Sequence, residues 1–229
     1  AARSPEEREL VELLETFEPI IAGAASGITV MDLHTVSSPS PAFAYVEDSL
    51  PARRLGLALG LPLILGFEEV LPGLFADYLT NTLGTLSLLV EAGTHDDPAS
   101  VCVHEAAIWA VLNAQGMVEN PEALAGFDVH AHLLDAAGAQ AQRVFDLRSR
   151  IAVGTPHLEM LDRAQAFLRV WKGLTKVGRR VDMSGKSHFV RAPADGLLFM
   201  PNRQQIRHAA DDAFFVIRPI WRRFMWLSA

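Results

Sequence analysis

The chain has 229 residues, half of them hydrophobic and 21% charged, with a formal net charge of −7. That length and hydrophobicity support a substantial core, in one large domain or two smaller ones, and exclude a disordered chain. The acidic balance argues against nucleic acid as the main ligand, because phosphate binding needs a basic surface, and leaves a small molecule as the expected partner.

One cysteine, Cys102, cannot form an internal disulfide, so a reducing, cytoplasmic location is expected. It lies in an apolar helical stretch and reads as a buried small hydrophobe. The longest apolar run, about 55–67, contains Gly56, Gly60 and Pro62 and is too short to span a bilayer, so no membrane partner is expected. No signal peptide precedes the first helix. The chain starts at Ala1 with no opening strand, which reads as a processed or partial polypeptide.

In chain order, Ser4, Pro5 and Glu7 predict a capped helix, with Leu10, Leu13, Leu14 and Phe17 as its apolar face. Residues 27–33 (GITVMDL) read as a buried strand with His34 just past its end. Residues 43–46 read as a short strand, and Ser49, Leu50 and Pro51 open a helix ending near Gly60. Residues 61–67 form another strand, 73–82 a helix, and 86–90 (LSLLV) a buried strand with Glu91 at its exit. Asp96 or Asp97 caps the next helix, Pro98 forms its first turn, Val101, Ile108, Val111 and Leu112 line its core face, and Gly116 ends it. Apolar strands alternating with helices imply a mostly parallel sheet covered on both faces. After about residue 140 short strands dominate, at 144–153, 167–171, 187–190, 196–200 and 213–217. The expected organisation is therefore an α/β domain over 1–140 and a smaller β-rich domain over 141–229.

Functional groups collect at the carboxyl ends of strands in open α/β sheets. Two such ends carry candidate residues: Asp32-Leu33-His34-Thr35, and Glu91-Ala92-Gly93-Thr94-His95. His34 offers an imidazole to a metal, and Asp32 is placed to orient it. Glu91 offers a carboxylate to take a proton from metal-bound water, and Gly93 lets the backbone turn past it. The competing readings are a solvent-facing or capping histidine and a loop carboxylate. His95 with Asp96 and Asp97 resembles a metal cluster, but the aspartates read better as helix caps. His104 and Glu105 are adjacent on a helix and point apart. His130 and His132 would pair on a metal only if extended. Ser37, Ser38 and Ser40 are explained by turn chemistry with Pro39 and Pro41. Lys172, Lys176, Arg179 and Arg180 read as a solvated hairpin. The segment Trp221 to Trp226 reads as packing on the core or on a second subunit, so a homo-oligomer is among the readings.

Met31-Asp32-Leu33-His34-Thr35 resembles the strand end that supplies the last zinc ligand in the succinylglutamate desuccinylase/aspartoacylase family. Leu89-Val90-Glu91-Ala92-Gly93 resembles that family's catalytic glutamate segment. Residues 192–201 (APADGLLFMP) and 211–217 (DDAFFVI) resemble the end of its C-terminal β domain. The resemblance implies a carboxypeptidase-like fold and zinc as cofactor. It implies hydrolysis of the amide bond of an N-acyl amino acid or similar small molecule by Glu-assisted attack of metal-bound water. It makes His34 a zinc ligand, Asp32 its supporting partner and Glu91 the catalytic base. The family's His-x-x-Glu ligand pair and its Asn-Arg pair have no counterpart before His34, so the other two zinc ligands are expected upstream of Ala1. His34 alone would hold zinc poorly, because a catalytic zinc takes three protein ligands. The arginine that recognises the substrate carboxylate in aspartoacylases has no counterpart at Thr80-Asn81-Thr82, which leaves the substrate unassigned. The alternatives are a non-catalytic fragment or pseudoenzyme that binds a small molecule or partner, and a zinc carboxypeptidase acting on peptides.

Overall fold

The computed structural model describes residues 4–71, 73–154, 158–182, 184–203 and 211–220. Its elements in chain order are α1 (Pro5–Ala22), β1 (Thr29–Val36), β2 (Phe43–Val46), α2 (Leu50–Ala58), β3 (Leu63–Leu65), α3 (Phe67–Val70), α4 (Phe75–Leu83), β4 (Leu86–Thr94), α5 (Ala99–Ala114), α6 (Pro121–Ala125) and α7 (Val129–Ala137). Then come β5 (Val144–Ala152), β6 (Leu158–Met160), β7 (Arg169–Val170), β8 (Lys176–Val181), β9 (Ser187–Arg191), β10 (Gly196–Phe199) and β11 (Asp212–Ile220).

Local chemistry sets several of these boundaries. The Ser4 hydroxyl accepts from the Glu7 amide, and the Glu7 carboxylate accepts from the Ser4 N–H at 2.7 Å, the reciprocal cap expected for α1. Ser49 caps α2 from one side only, its hydroxyl accepting from the Ala52 amide. Ahead of α5 the Asp97 carboxylate accepts from the Ala99 amide at 2.9 Å.

The main sheet has eight strands in the order β1-β4-β2-β3-β5-β11-β10-β7. β1–β4, β2–β3 and β3–β5 are parallel. β4–β2, β5–β11, β11–β10 and β10–β7 are antiparallel. The sheet is thus mixed: from β1 to β5 three of its four pairings are parallel, with β2 the reversed strand, and from β5 onward its neighbours are antiparallel. A second sheet has three antiparallel strands, β6-β8-β9. The expected division at residue 140 falls just ahead of β5, and the main sheet runs across it, since β5 pairs with β3 on one side and β11 on the other.

Helices cover both faces. On one face, side chains of α2, α5 and α7 bury Leu88, Val90 and Ala92 of β4. On the other, Phe43, Tyr45, Phe67, Phe145, Phe199 and Phe215 form an aromatic cluster with Ala76 of α4. A third cluster, including Val153, Val177, Phe214 and Val216, joins the small sheet to β11.

Several expectations are corrected. β1 is an edge strand and is only partly covered, not buried, and it extends through His34 to Val36. β4 runs past Glu91 to Thr94, which is level with Val36 of β1. α1 has no buried residue, and its Leu10 and Leu13 are exposed; it meets the body through Phe17 against Phe75 and through Tyr78 donating to Glu18 at 3.0 Å. α5 buries Val103, Ala106, Ala107 and Val111, while Val101 and Ile108 face outward, and Cys102 is exposed. An α-helix that is apolar on nearly every side carries no single-face signal. The basic stretch around Lys176 to Arg180 is strand β8, which forms an antiparallel hairpin with β9 and pairs on its other side with β6; Arg180 donates to the carbonyls of Ala152 and Val153. Trp221 to Trp226 lies outside the described residues. Among the described residues no helix is long and apolar enough to cross a membrane.

Candidate active site

The parallel register of β1 and β4 places His34 directly beside Glu91, and Asp32 beside Leu89. On its other side Glu91 is level with Phe43 of β2. Residues two apart on a strand share a face, and cross-strand partners meet side by side. Asp32, His34 and Glu91 therefore stand on one face of the sheet. Asp32 also lines a small cavity with Phe75, Ala76 and Leu79, which identifies this as the α4 side.

Glu91 is only 6% exposed, and its Oε2 has no hydrogen-bond partner among the described residues. Burial disfavours the ionised form and pushes its carboxyl up to about 7; the neighbouring His34 works against the rise and the Asp32 charge adds to it. His34 is more open, with a side chain 51% exposed, and its Nε2 lies 2.8 Å from Asp32 Oδ1. That hydrogen bond raises the His34 pKa above the ordinary value, against the effect of partial burial, and the charges of Asp32 and Glu91 add to the rise. Gly93, two residues after Glu91, has a φ of 109°, a conformation that L side chains rarely adopt. A Cβ there would meet nothing, so the backbone path alone calls for glycine.

Further imidazoles support this corner. His104 of α5 donates from Nε2 to the His34 carbonyl at 2.9 Å. Thr35 Oγ1 and His95 Nδ1 are hydrogen-bonded at 2.8 Å, and the His95 amide donates to the Val36 carbonyl at 3.1 Å. The His104 contact escaped sequence reasoning because it joins a helix to a strand 70 positions away. A second group was also missed. Tyr45 donates to Asp77 at 2.8 Å and lies 3.4 Å from Glu68, and burial raises the pKa of Glu68. Its members come from β2, α3 and α4, with no common motif. Of the other candidates, Ser38 is buried and donates to the Pro201 carbonyl, and Ser40 donates to the Pro41 carbonyl at 3.0 Å. His130 and His132 lie on α7, not on an extended segment, and His132 Nδ1 bonds the Asp128 carbonyl within the first turn.

The donor set fits part of a catalytic zinc site. Asp32 engages Nε2 of His34, which leaves Nδ1 as the nitrogen with a lone pair to offer, the arrangement in which a carboxylate orients a ligating imidazole. The unpartnered oxygen of Glu91 stands on the neighbouring strand. Among the described residues no group of three His, Cys, Asp or Glu side chains is placed to hold a metal ion, and a catalytic zinc takes three protein ligands.

No protein-family model and no curated protein matches the chain in sequence. Solved structures do match in fold. A succinylglutamate desuccinylase/aspartoacylase from Rhodobacter sphaeroides superposes with a TM-score of 0.66 at 18% identity, over 96% of this chain and 65% of that one. The product-bound ectoine utilization protein EutE (DoeB) from Ruegeria pomeroyi gives a TM-score of 0.64 at 14% identity, over 95% of this chain and 65% of that one. An aspartoacylase family protein from Mesorhizobium loti gives 0.61 at 17% identity, over 96% and 64%. The chain thus spans about 65% of the length of the first of these structures. Over nearly all of its own length, the chain has the fold of the solved succinylglutamate desuccinylase and aspartoacylase family proteins.

Proposed function

We propose that the protein hydrolyses the amide bond of an N-acyl amino acid or a similar small molecule, with Glu91 as the proton-carrying base and His34 as one ligand of a zinc ion. The observation that carries this reading is the Glu91 carboxyl: buried, with one oxygen unpartnered among the described residues, and brought to about 7. A base whose pKa lies near the working pH is partly free to accept a proton and strong enough to hold it. Oε2 takes a proton from water in the cleft and later holds it for the leaving nitrogen. Phe43 of β2 is level with Glu91 on its other side. Asp32 fixes the His34 ring and raises its basicity. Zinc, when bound, would polarise the scissile carbonyl and acidify water. The names of the solved neighbours, desuccinylase and aspartoacylase, agree with amide hydrolysis.

The test is turnover of a panel of N-acyl amino acids and short peptides by the zinc-supplemented protein and by Glu91→Gln. Loss of a general base should lower the rate by about 10²–10⁴-fold. A Glu91→Gln rate within tenfold of the parent would sink the assignment. Faster cleavage of peptides would move the activity to a carboxypeptidase. A folded protein with neither zinc nor turnover would favour the non-catalytic binding alternative.

A further inference from the structure

We infer that the chain associates with a second copy of itself through two unlike surfaces, the outward stripe of α1 on one copy and the outer face of β8 and β9 on the other. Charge is strongly segregated along the sequence. Residues 169–191 hold seven Lys or Arg and one Asp, a net +6, in a chain of net −7. α1 holds six Glu and one Arg, a net −5. Opposite charges on two surfaces draw them together and set their register.

Both surfaces also expose apolar side chains. On α1, Glu6, Glu9, Leu13, Thr16 and Ile20 recur at alternating spacings of three and four and share one side of the helix, with Glu12 beside them. Leu13 and Ile20 are exposed, Ile20 by 62%, while Phe17 turns inward to Phe75. On the small sheet, Arg179 stands opposite Phe189, and Lys176 opposite Arg191. Phe189 and Arg191 are two apart on β9, so all four side chains lie on one face. Phe189 is 54% exposed, with the Lys176 ammonium 4.0 Å from its ring centre. The turn after β7 adds exposed Trp171 and Leu174, and Arg191 joins that turn to the sheet by donating to the Leu174 carbonyl at 2.8 Å.

Two arguments point to an acidic, apolar partner from outside the chain. Glu159 pairs with Arg179 at 3.0 Å, but Lys176 and Arg191 are like charges directly opposite each other, an arrangement that weakens a ladder. A carboxylate arriving beside them offsets that repulsion, and the exposed Phe189, Trp171 and Leu174 gain by leaving water. The second argument is distance. α1 lies beside β1, where Phe17 lines a cavity with Val30 and Met31, whereas Trp171 directly follows β7. β1 and β7 are the two edges of the eight-stranded sheet, roughly 34 Å apart along it at ~4.8 Å per strand. One chain therefore cannot bring its own two surfaces together, and a second copy supplies the complement of each.

Sedimentation velocity of the full chain over a concentration series tests this. The parent should self-associate at about 0.1 M salt and return toward monomer at about 1 M, where the Debye length has dropped from ~10 to ~3 Å. Glu9→Lys with Glu12→Lys, and separately Lys176→Glu with Arg191→Glu, should each raise the dissociation constant by about tenfold or more, since like charges then face each other across the contact. A mixture of the two variants should associate as the parent does, because the lysines of one α1 meet the glutamates on the other copy's sheet. Ile20→Ser sits on a helix with no buried residue, so it weakens association without loading the fold and keeps the test open should a charge reversal unfold the small sheet. A parent that stays monomeric throughout would overturn the inference, as would association that salt and both reversals leave unchanged. A mixture no more associated than its components would do the same. Binding of phosphatidylserine vesicles or of RNA by a monomeric parent would assign the basic face to that partner and not to a second copy.

Discussion

Replacing Glu91 with glutamine should stabilise the fold above neutral pH, even as it removes the proposed base. The carboxyl rises from its ordinary 4.5 to about 7 on folding, chiefly by burial. Below about pH 4.5 the folded and unfolded chains both hold the proton and the group costs nothing. As pH rises toward 7 the unfolded chain gives up the proton while the folded chain keeps it, so stability falls. Above 7 the full penalty stands, about 3 kcal/mol at ~1.36 kcal/mol for each tenfold change in proton affinity. Glutamine is close in size and neutral throughout, so it carries no such penalty. Glu91→Gln should therefore match the parent near pH 4 and exceed it by up to about 3 kcal/mol at pH 8. Urea denaturation followed by circular dichroism at several pH values measures this difference. A variant no more stable than the parent at pH 8, or a difference that does not change with pH, would refute the buried-carboxyl argument.

Three further outcomes are expected. Asp32→Asn removes the largest contributor to the raised His34 pKa, so the imidazole titration, read by NMR, should move down. Gly178→Ala places a Cβ 2.6 Å from the Glu159 carbonyl oxygen, on a backbone that must move to make room, and should cost about 1–3 kcal/mol in a denaturant melt. Ser4→Ala removes the cap of α1, worth about 1 kcal/mol to the helix. Since α1 has no buried residue, global stability should change little while amide exchange within α1 speeds up.

The parts of the fold that were legible in the sequence are those fixed by local chemistry. The Ser4–Glu7 cap, the Ser49 cap of α2, and strands β2, β5, β9, β10 and β11 lie where turn residues and apolar runs place them. What was not legible depends on partners distant in the chain. The run 27–33 looks the same whether a strand has one neighbour or two, so the edge position of β1 could not be read from it. β8 escaped because Arg180 reads as a surface residue, and only the fold reveals the Ala152 and Val153 carbonyls that its guanidinium meets. At the candidate site, His34 and Glu91 were each visible as strand-end residues. Their side-by-side placement follows from the β1–β4 register, which two intervening strands and three helices must be folded to establish.

That placement gives two ionisable groups opposite surroundings and raises the pKa of both. Glu91, level with Phe43 of β2, is pushed up by burial to about 7. His34, on the open edge strand, keeps contact with solvent and is raised above 6.5 by a hydrogen bond from its own strand. Each carries part of the other's shift, since His34 lowers Glu91 and Glu91 raises His34. Asp32 raises both, so its removal should lower both titrations together, whereas a purely structural role for Asp32 would shift neither in a concerted way. An edge strand beside a buried strand is thus the feature of the fold that raises a carboxyl by burial and an imidazole by a hydrogen bond from its own strand.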